Sequence, residues 1–204
     1  MNLTARFGEA VQFALTAHAG QLRKGTPVPY AAHLLAVAGI VLDYGGDEDQ
    51  AIAALLHDCI EDCGIDAAQI RARFGDAVAG MVVSCSDSME KDPSRKPPWL
   101  ARKKAYLKHL QTADGPALLV STADKLHNAR SILRDFRKMG DRVWERFKAS
   151  KEETLWYYDA LVRIFQAKGA HKMLADELSR TVADLRGLAQ APPSADCNGG
   201  GTTV

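Results

Sequence analysis

The chain reads as a succession of segments whose apolar residues recur every three or four positions, punctuated by glycine, proline and polar clusters. Leu3, Phe7, Ala10, Val11, Ala14 and Leu15 share one face of an amphipathic helix over residues 3–19. A turn-rich loop, GQLRKGTPVP, follows and carries Arg23 and Lys24. The pattern predicts a second helix over residues 30–43, ended by Gly45-Gly46, and a third over 48–62 with Asp47 as N-cap and Gly64 as terminator. Asp66 opens a short helix through Phe74, Gly75 breaks it, and another runs over 76–86. Residues 87–98, with Pro93, Pro97 and Pro98, read as a loop. A basic helix over 99–112 and a turn at Asp114-Gly115-Pro116 precede a helix over 116–138, with Pro116 in its first turn. Gly140-Asp141 reads as a break and cap, followed by a long helix to about Lys168 and a last one over 171–189. Nothing alternates with the period of a strand, so the expected fold class is all-α. Residues 1–190 read as one domain. Residues 191–204, which include PPSADCNGGGTTV, lack the apolar content to pack and are expected to be disordered.

Bulk properties narrow the function. A chain of 204 residues with 47% apolar and 25% charged residues can bury a substantial core. Its net charge of +1 provides no whole-molecule field for a nucleic acid polymer or a membrane. No apolar run reaches the length of a membrane span and the start, MNLTARFGEA, lacks a signal-peptide core, so a cytoplasmic location is expected. Four cysteines (Cys59, Cys63, Cys85 and Cys197) are too few for a disulfide framework. Cys59 and Cys63 stand at i, i+4, not at the C-x-x-C spacing of a zinc site, and read as small apolar fillers.

The chemistry concentrates in Ala53-Ala54-Leu55-Leu56-His57-Asp58-Cys59-Ile60-Glu61-Asp62. On an unbroken helix Asp58, Glu61 and Asp62 share a face, with Glu61 one turn beyond His57. Such an acidic strip repels itself and, at a helix C-terminus, opposes the macrodipole. A divalent cation would remove the conflict. His33 near the start of one predicted helix and Asp124 inside an apolar stretch of another complete a mixed nitrogen and oxygen donor set. That set suits Mn²⁺, Fe²⁺, Zn²⁺ or Co²⁺ better than Mg²⁺ or Ca²⁺. Asp124 needs a partner in its apolar surroundings, for which Lys125 and Arg130 are at hand. The basic residues between 95 and 108, Arg102, Lys103 and Lys104 among them, read first as a solvated face.

A histidine, a His-Asp doublet and a distant Asp, in that order, resemble the HD-superfamily metal-dependent phosphohydrolases. Within them the chain resembles the hydrolase domain of RelA/SpoT-type alarmone enzymes and their stand-alone forms, the small alarmone hydrolases. The matching strings are Ala17 to Lys24, Pro29-Tyr30 ahead of His33, Ala53 to Asp62, Phe74-Gly75 with Val78, Ala123 to Arg130, and Glu153-Thr154-Leu155 with Tyr158. The resemblance implies an HD-domain helical bundle and one Mn²⁺ held by His33, His57, Asp58 and Asp124. It implies Glu61 and Asp62 as the acid pair acting on water, and Arg23, Lys24, Asn128 and Tyr158 as residues that hold the nucleotide. The implied reaction is hydrolysis of the 3′-pyrophosphate of (p)ppGpp or (p)ppApp. Ser84-Cys85-Ser86-Asp87, Leu34 and the 87–104 segment depart from the family pattern, which leaves the choice between guanine and adenine open. Another HD-type nucleotidase, or a non-catalytic nucleotide-binding module, are the alternatives. A homo-oligomer is compatible with the sequence.

Overall fold

Capping chemistry sets most of the helix starts. Asp47, Asp66 and Ser150 each accept a hydrogen bond from the backbone three residues on, and Gln50, Gln69 and Glu153 reach back to complete reciprocal capping boxes. The computed structural model describes residues 2–88, 90, 94–169 and 171–191. The stretch from residue 192 on, expected to be disordered, lies outside them. The elements are α1 (Ala5–Ala17), α2 (Ala31–Asp43), α3 (Glu48–Leu56), α4 (Cys59–Cys63), α5 (Ala67–Cys85), α6 (Trp99–Leu110), α7 (Gly115–Met139), α8 (Lys151–Lys168) and α9 (Lys172–Gln190). No strand occurs among the described residues; an isolated antiparallel bridge between Leu22 and Pro29 pinches the loop after α1. The all-α expectation is met.

Three local expectations are corrected. The helix expected over 48–62 is two, interrupted at His57-Asp58. The His57 ring is the cause: its Nδ1 lies 2.7 Å from the Ala54 carbonyl, the acceptor that Asp58 N–H would use in a continued helix. Glu61 and Asp62 therefore belong to a separate five-residue helix and do not end a long one, so the macrodipole argument fails. The long helix expected after Gly140-Asp141 begins only at Lys151. A 3-10 segment, Gly140–Arg146, comes first, because Trp144 Nε1 and Lys151 both bond Asp141 and the capping box lies at Ser150. On α1, Ala10 and Ala14 are buried whereas Leu3 and Leu15, each 44% exposed, lie off the core-facing stripe. The Gly75 break is present, with φ of 90°, inside what is otherwise the continuous α5.

The bundle is built around α7, which packs against α2, α3, α5, α8 and α9. Against it lies α3, whose residues Ala51 to Leu56 are wholly buried. Both the histidine of α2 and the doublet after α3 are thereby pressed towards the middle of α7. A β-carbon at Gly46 would come within 2.5 Å of Val41 Cγ1 and 2.8 Å of Leu119 Cδ2, where α2 turns towards α7. Gly46→Ala is accordingly expected to destabilise the fold by about 1–3 kcal/mol. Gly39→Ala, inside α2 with nothing within 4 Å of the new carbon, should stabilise it by about 0.5–1 kcal/mol. Urea unfolding of the two variants against the parent chain measures both.

Candidate active site

Four side chains from three packed regions meet at one point. His33 comes from the first turn of α2, His57 and Asp58 from the turn between α3 and α4, and Asp124 from the middle of α7. His33 Nε2 lies 3.3 Å from His57 Nε2 and 3.2 Å from Asp124 Oδ1, and His57 Nε2 lies 2.9 Å from Asp58 Oδ2. The remaining imidazole–carboxylate separations are 3.7 Å (His33 to Asp58) and 3.6 Å (His57 to Asp124). Neighbouring residues on a regular helix point in different directions. The break at His57-Asp58 is what lets two consecutive side chains converge.

The donor set fits a divalent cation. His57 Nδ1 donates to the Ala54 carbonyl, which leaves its Nε2 facing inward, where a cation would displace the proton that the two carboxylates otherwise hold on it. His33 Nδ1 lies 2.7 Å from His127 Nδ1. Burial, with His33 beside it, lowers the His127 pKa to about 4, so His127 is neutral and accepts from His33. His33 Nε2 then faces the centre with a lone pair. Burial opposes charge on His57, Asp58 and Asp124, but their partners outweigh it: His57 is held well above its ordinary pKa by the two carboxylates, Asp58 well below its own by the imidazoles, and Asp124 well below its own by Lys125 first and then the imidazoles. His33, His57 and Asp58 by themselves form a group able to grip a metal ion.

The surroundings hold these donors. Asp124 Oδ2 accepts from Lys125 Nζ at 2.5 Å, and Asp124 Oδ1 from Asn128 Nδ2 at 2.5 Å. Lys125 is thus the partner of Asp124, while Arg130 pairs with Glu177. Tyr30 Oη donates to Asp58 Oδ2 at 2.5 Å. Sequence reasoning passed over His127 and Tyr30. Spacing could find both: His127 stands three residues after Asp124, and Tyr30, the N-cap of α2, three residues before His33, so each faces the way of its ligand neighbour.

Glu61 and Asp62 border the four donors. Burial and the nearby Asp87 and Asp58 raise the Glu61 pKa to about 7. Arg102 stands 3.4 Å from Glu61 yet does not reverse this, because its charge is engaged by Asp87, which also holds Lys103 at 2.5 Å. Arg102 and Lys103 are therefore largely covered side chains in an ion-pair network, not the solvated face expected; Lys104 is exposed. Asp62 is also raised, by burial and Asp58, and its Oδ2 accepts from Gln21 Nε2 at 2.9 Å.

Two cavities adjoin the centre and share Tyr30, Asp62 and Asn128. The smaller, about 180 Å³, is lined by Asp58, Glu61, Asp62 and Asp124 with Lys103 and Lys125 opposite. The larger, about 460 Å³, runs from His33 past Arg23 and Lys24 to Phe147, Arg146 and Tyr158. Of the residues expected to hold a nucleotide, Arg23 donates to Asn128 Oδ1 at 2.8 Å and lies over the Tyr30 ring, so these two are joined to Asp124. Lys24, over the Phe147 ring, and the buried Tyr158 stand on the wall of the larger cavity.

An all-helical bundle with a buried two-His, two-Asp centre and a neighbouring acid pair is the architecture in hand, and the comparisons with known proteins agree with it. Residues 10–155 match the family model described as HD domain, and the chain belongs to that family. It is 36% identical over 129 residues to guanosine-3′,5′-bis(diphosphate) 3′-pyrophosphohydrolase MESH1 of Xenopus tropicalis, covering 62% of this chain and 69% of that one. It is 37% identical over 120 residues to a probable guanosine-3′,5′-bis(diphosphate) 3′-pyrophosphohydrolase of Synechocystis, a match that covers 59% of this chain but only 16% of that longer protein. Among solved structures, one described as a metazoan ortholog of SpoT that hydrolyses ppGpp superposes with a TM-score of 0.71 at 26% identity, over 92% of this chain and 99% of that one. A Listeria monocytogenes protein superposes with a TM-score of 0.64 at 30% identity, over 74% and 96%. No helix among the described residues is long and apolar enough to cross a membrane.

The His127 contact yields a test. His127→Phe keeps the bulk but removes the acceptor that orients His33. It is expected to weaken divalent-cation binding by about 10–100-fold, read by calorimetric titration of the metal-free protein with Mn²⁺ and Co²⁺, with the fold retained by circular dichroism.

Proposed function

We propose that this chain hydrolyses the 3′-pyrophosphate of alarmone nucleotides, (p)ppGpp, (p)ppApp or both, to the nucleoside 5′-di- or triphosphate and pyrophosphate. In this reading Mn²⁺ is held by His33, His57, Asp58 and Asp124. The observation that carries the reading is the convergence of those four side chains beside Glu61 and Asp62, at the junction of a nucleoside-sized cavity and a smaller one lined by carboxylates and two lysines. The named activities of the MESH1 proteins and of the SpoT ortholog support the choice of substrate class. What such an ion supplies is Lewis acidity, lowering the pKa of water towards about 7 and neutralising charge on a phosphoryl oxygen.

The chain's own residues do the rest. Glu61, raised to about 7, is protonated in about half of the molecules at neutral pH, and that proton passes to the departing 3′-oxygen. Asp62, oriented by Gln21, takes the proton from the attacking water. Lys103 and Lys125 face the smaller cavity and offset the charge of the pyrophosphate. Arg23 and Lys24 line the larger cavity for the nucleoside and its 5′-phosphates, with Asn128 at the junction and Tyr158 in the wall. Loss of water from around the two acids strengthens each of these interactions.

Three outcomes are expected. Incubated with ppGpp and ppApp in parallel, the Mn²⁺-loaded protein should release pyrophosphate from at least one, measured by ion chromatography. Release from neither, with the metal bound, rejects the proposal, and orthophosphate in place of pyrophosphate points to a nucleotidase. The double variant Glu61→Gln, Asp62→Asn should lose about 10²–10⁴-fold in kcat while its Mn²⁺ content by elemental analysis stays at one per chain. The Glu61 shift also has a signature in stability. Its folded pKa lies above the ordinary 4.5, so the folded state binds more protons between 4.5 and about 7. The stabilisation is full below about 4.5 and is lost as pH rises through about 7. Metal-free Glu61→Gln should therefore melt above the parent chain at pH 8 and level with it near pH 4.5.

A further inference from the structure

A second cluster of reactive side chains lies where α1 ends against α4, and the reaction described above makes no use of its thiols. His18 caps α1 and is 4% exposed. Its Nδ1 lies 2.7 Å from Gln21 Oε1 and 3.4 Å from Cys63 Sγ, and its Nε2 lies 3.6 Å from Cys59 Sγ. The two sulfurs thus face different nitrogens of one ring, so no single ion can take all three as ligands. The arrangement instead suits thiol chemistry, in which an imidazole stabilises a thiolate and supplies a proton. Cys59 is wholly buried; Cys63 is half-buried and within reach of a small solute.

We propose that Cys63 is a site of reversible oxidation by hydroperoxides, with Cys59 as the resolving thiol and His18 as the proton donor. The Cys63 thiolate attacks the terminal oxygen of a hydroperoxide and the O–O bond breaks. The sulfur becomes a sulfenic acid, and the leaving alkoxide takes a proton from the His18 imidazolium and departs as the alcohol, or as water from hydrogen peroxide. The Cys59 thiol then displaces hydroxide from the Cys63 sulfur; its proton leaves with that hydroxide as water, and a Cys59–Cys63 disulfide remains. Positions i and i+4 are about 6 Å apart along a helix axis, inside the span a disulfide bridges. The groups facing the Cys63 sulfur fix its reactivity. A hydrogen bond from Cys59, set against burial and aided by His18, lowers its pKa to about 6, while the adjacent Asp62 pushes the other way.

The position links thiol state to turnover. Glu61 and Asp62 lie between the two cysteines on α4, and Asp62 is held by Gln21, which also bonds His18. Closing the disulfide pulls Cys63 from His18 and distorts the turn that presents both acids. The cysteines are then more than the apolar fillers that the sequence suggests.

The test uses the full, metal-loaded chain. Iodoacetamide alkylation followed by peptide mass mapping is expected to show Cys63 reacting with a half-maximal rate near pH 6, and at pH 7 about 10-fold faster than Cys85 or Cys197. One equivalent of hydrogen peroxide should give a Cys59–Cys63 disulfide, trap as a dimedone adduct on Cys63 in Cys59→Ala, and reduce turnover several-fold in a manner reversed by dithiothreitol. Cys63→Ser should retain basal turnover and lose the peroxide response. A Cys63 alkylation midpoint near the ordinary thiol value of about 8.5, oxidation that falls first on Cys85 or Cys197, or a Cys63→Ser variant as peroxide-sensitive as the parent chain would each overturn the proposal. The alkylation profile and the mass map need neither a variant nor an active enzyme, so they stand apart from any failure of the alarmone reading.

Discussion

Asp124 brings a negative charge into the middle of the longest helix, among side chains that exclude water. An isolated carboxylate there would cost several kcal/mol even after relaxation, so both its oxygens must be matched. Lys125 and Asn128, from the same helix, take one each. The two imidazoles from α2 and from the end of α3 complete the match. That requirement ties α2, α3 and α7 together more narrowly than apolar packing does, because hydrocarbon contacts tolerate small slides and a charge buried among fixed donors does not. The wholly buried run Ala51 to Leu56 supplies the force that drives α3 inward. The polar centre fixes where it stops.

Around that centre the side chains are arranged in order of the precision they need. The imidazoles are oriented by the Ala54 carbonyl and by His127, and Asp58 by the Tyr30 hydroxyl. One shell further out, Gln21 restrains Asp62 and the Asp87–Arg102–Lys103 group brings α6 up to Glu61. Engaging Arg102 on Asp87 leaves Glu61 closer to neutral than a free guanidinium would allow. A carboxyl that keeps its proton near pH 7 beside carboxylates that have lost theirs is the separation of roles that acid–base chemistry requires. The His18–Gln21 bond runs from this shell to the thiols of α4, so the acid pair and the cysteines share a support.

Much of the architecture was legible in the residues. Asp47, Asp66 and Ser150 mark helix starts through short-range bonds that depend on three or four neighbours, and Gly75 marks a break because its backbone can enter the left-handed region. His33, His57, Asp58 and Asp124 could be singled out because polar residues interrupted apolar stretches. The interruption at His57-Asp58 could not be read: neither residue is a helix breaker, and the side-chain bond to Ala54 that ends α3 is stable only once the interior shields it. The pairing of Arg102 and Lys103 is hidden from the sequence for the same reason, since Asp87 lies fifteen and sixteen residues away and meets them only when α6 folds back.

By itself, then, the sequence determined the helices, most of their ends, and the kinds of donor available, because these depend on periodicity and local bonding. Tertiary structure alone decided that the four donors face one another across 2.9 to 3.7 Å, that His127 and Tyr30 support them, and that Glu61 and Asp62 are raised while Asp58 and Asp124 are depressed. Distances between distant segments and the local dielectric both arise from packing, and neither is written in the order of residues.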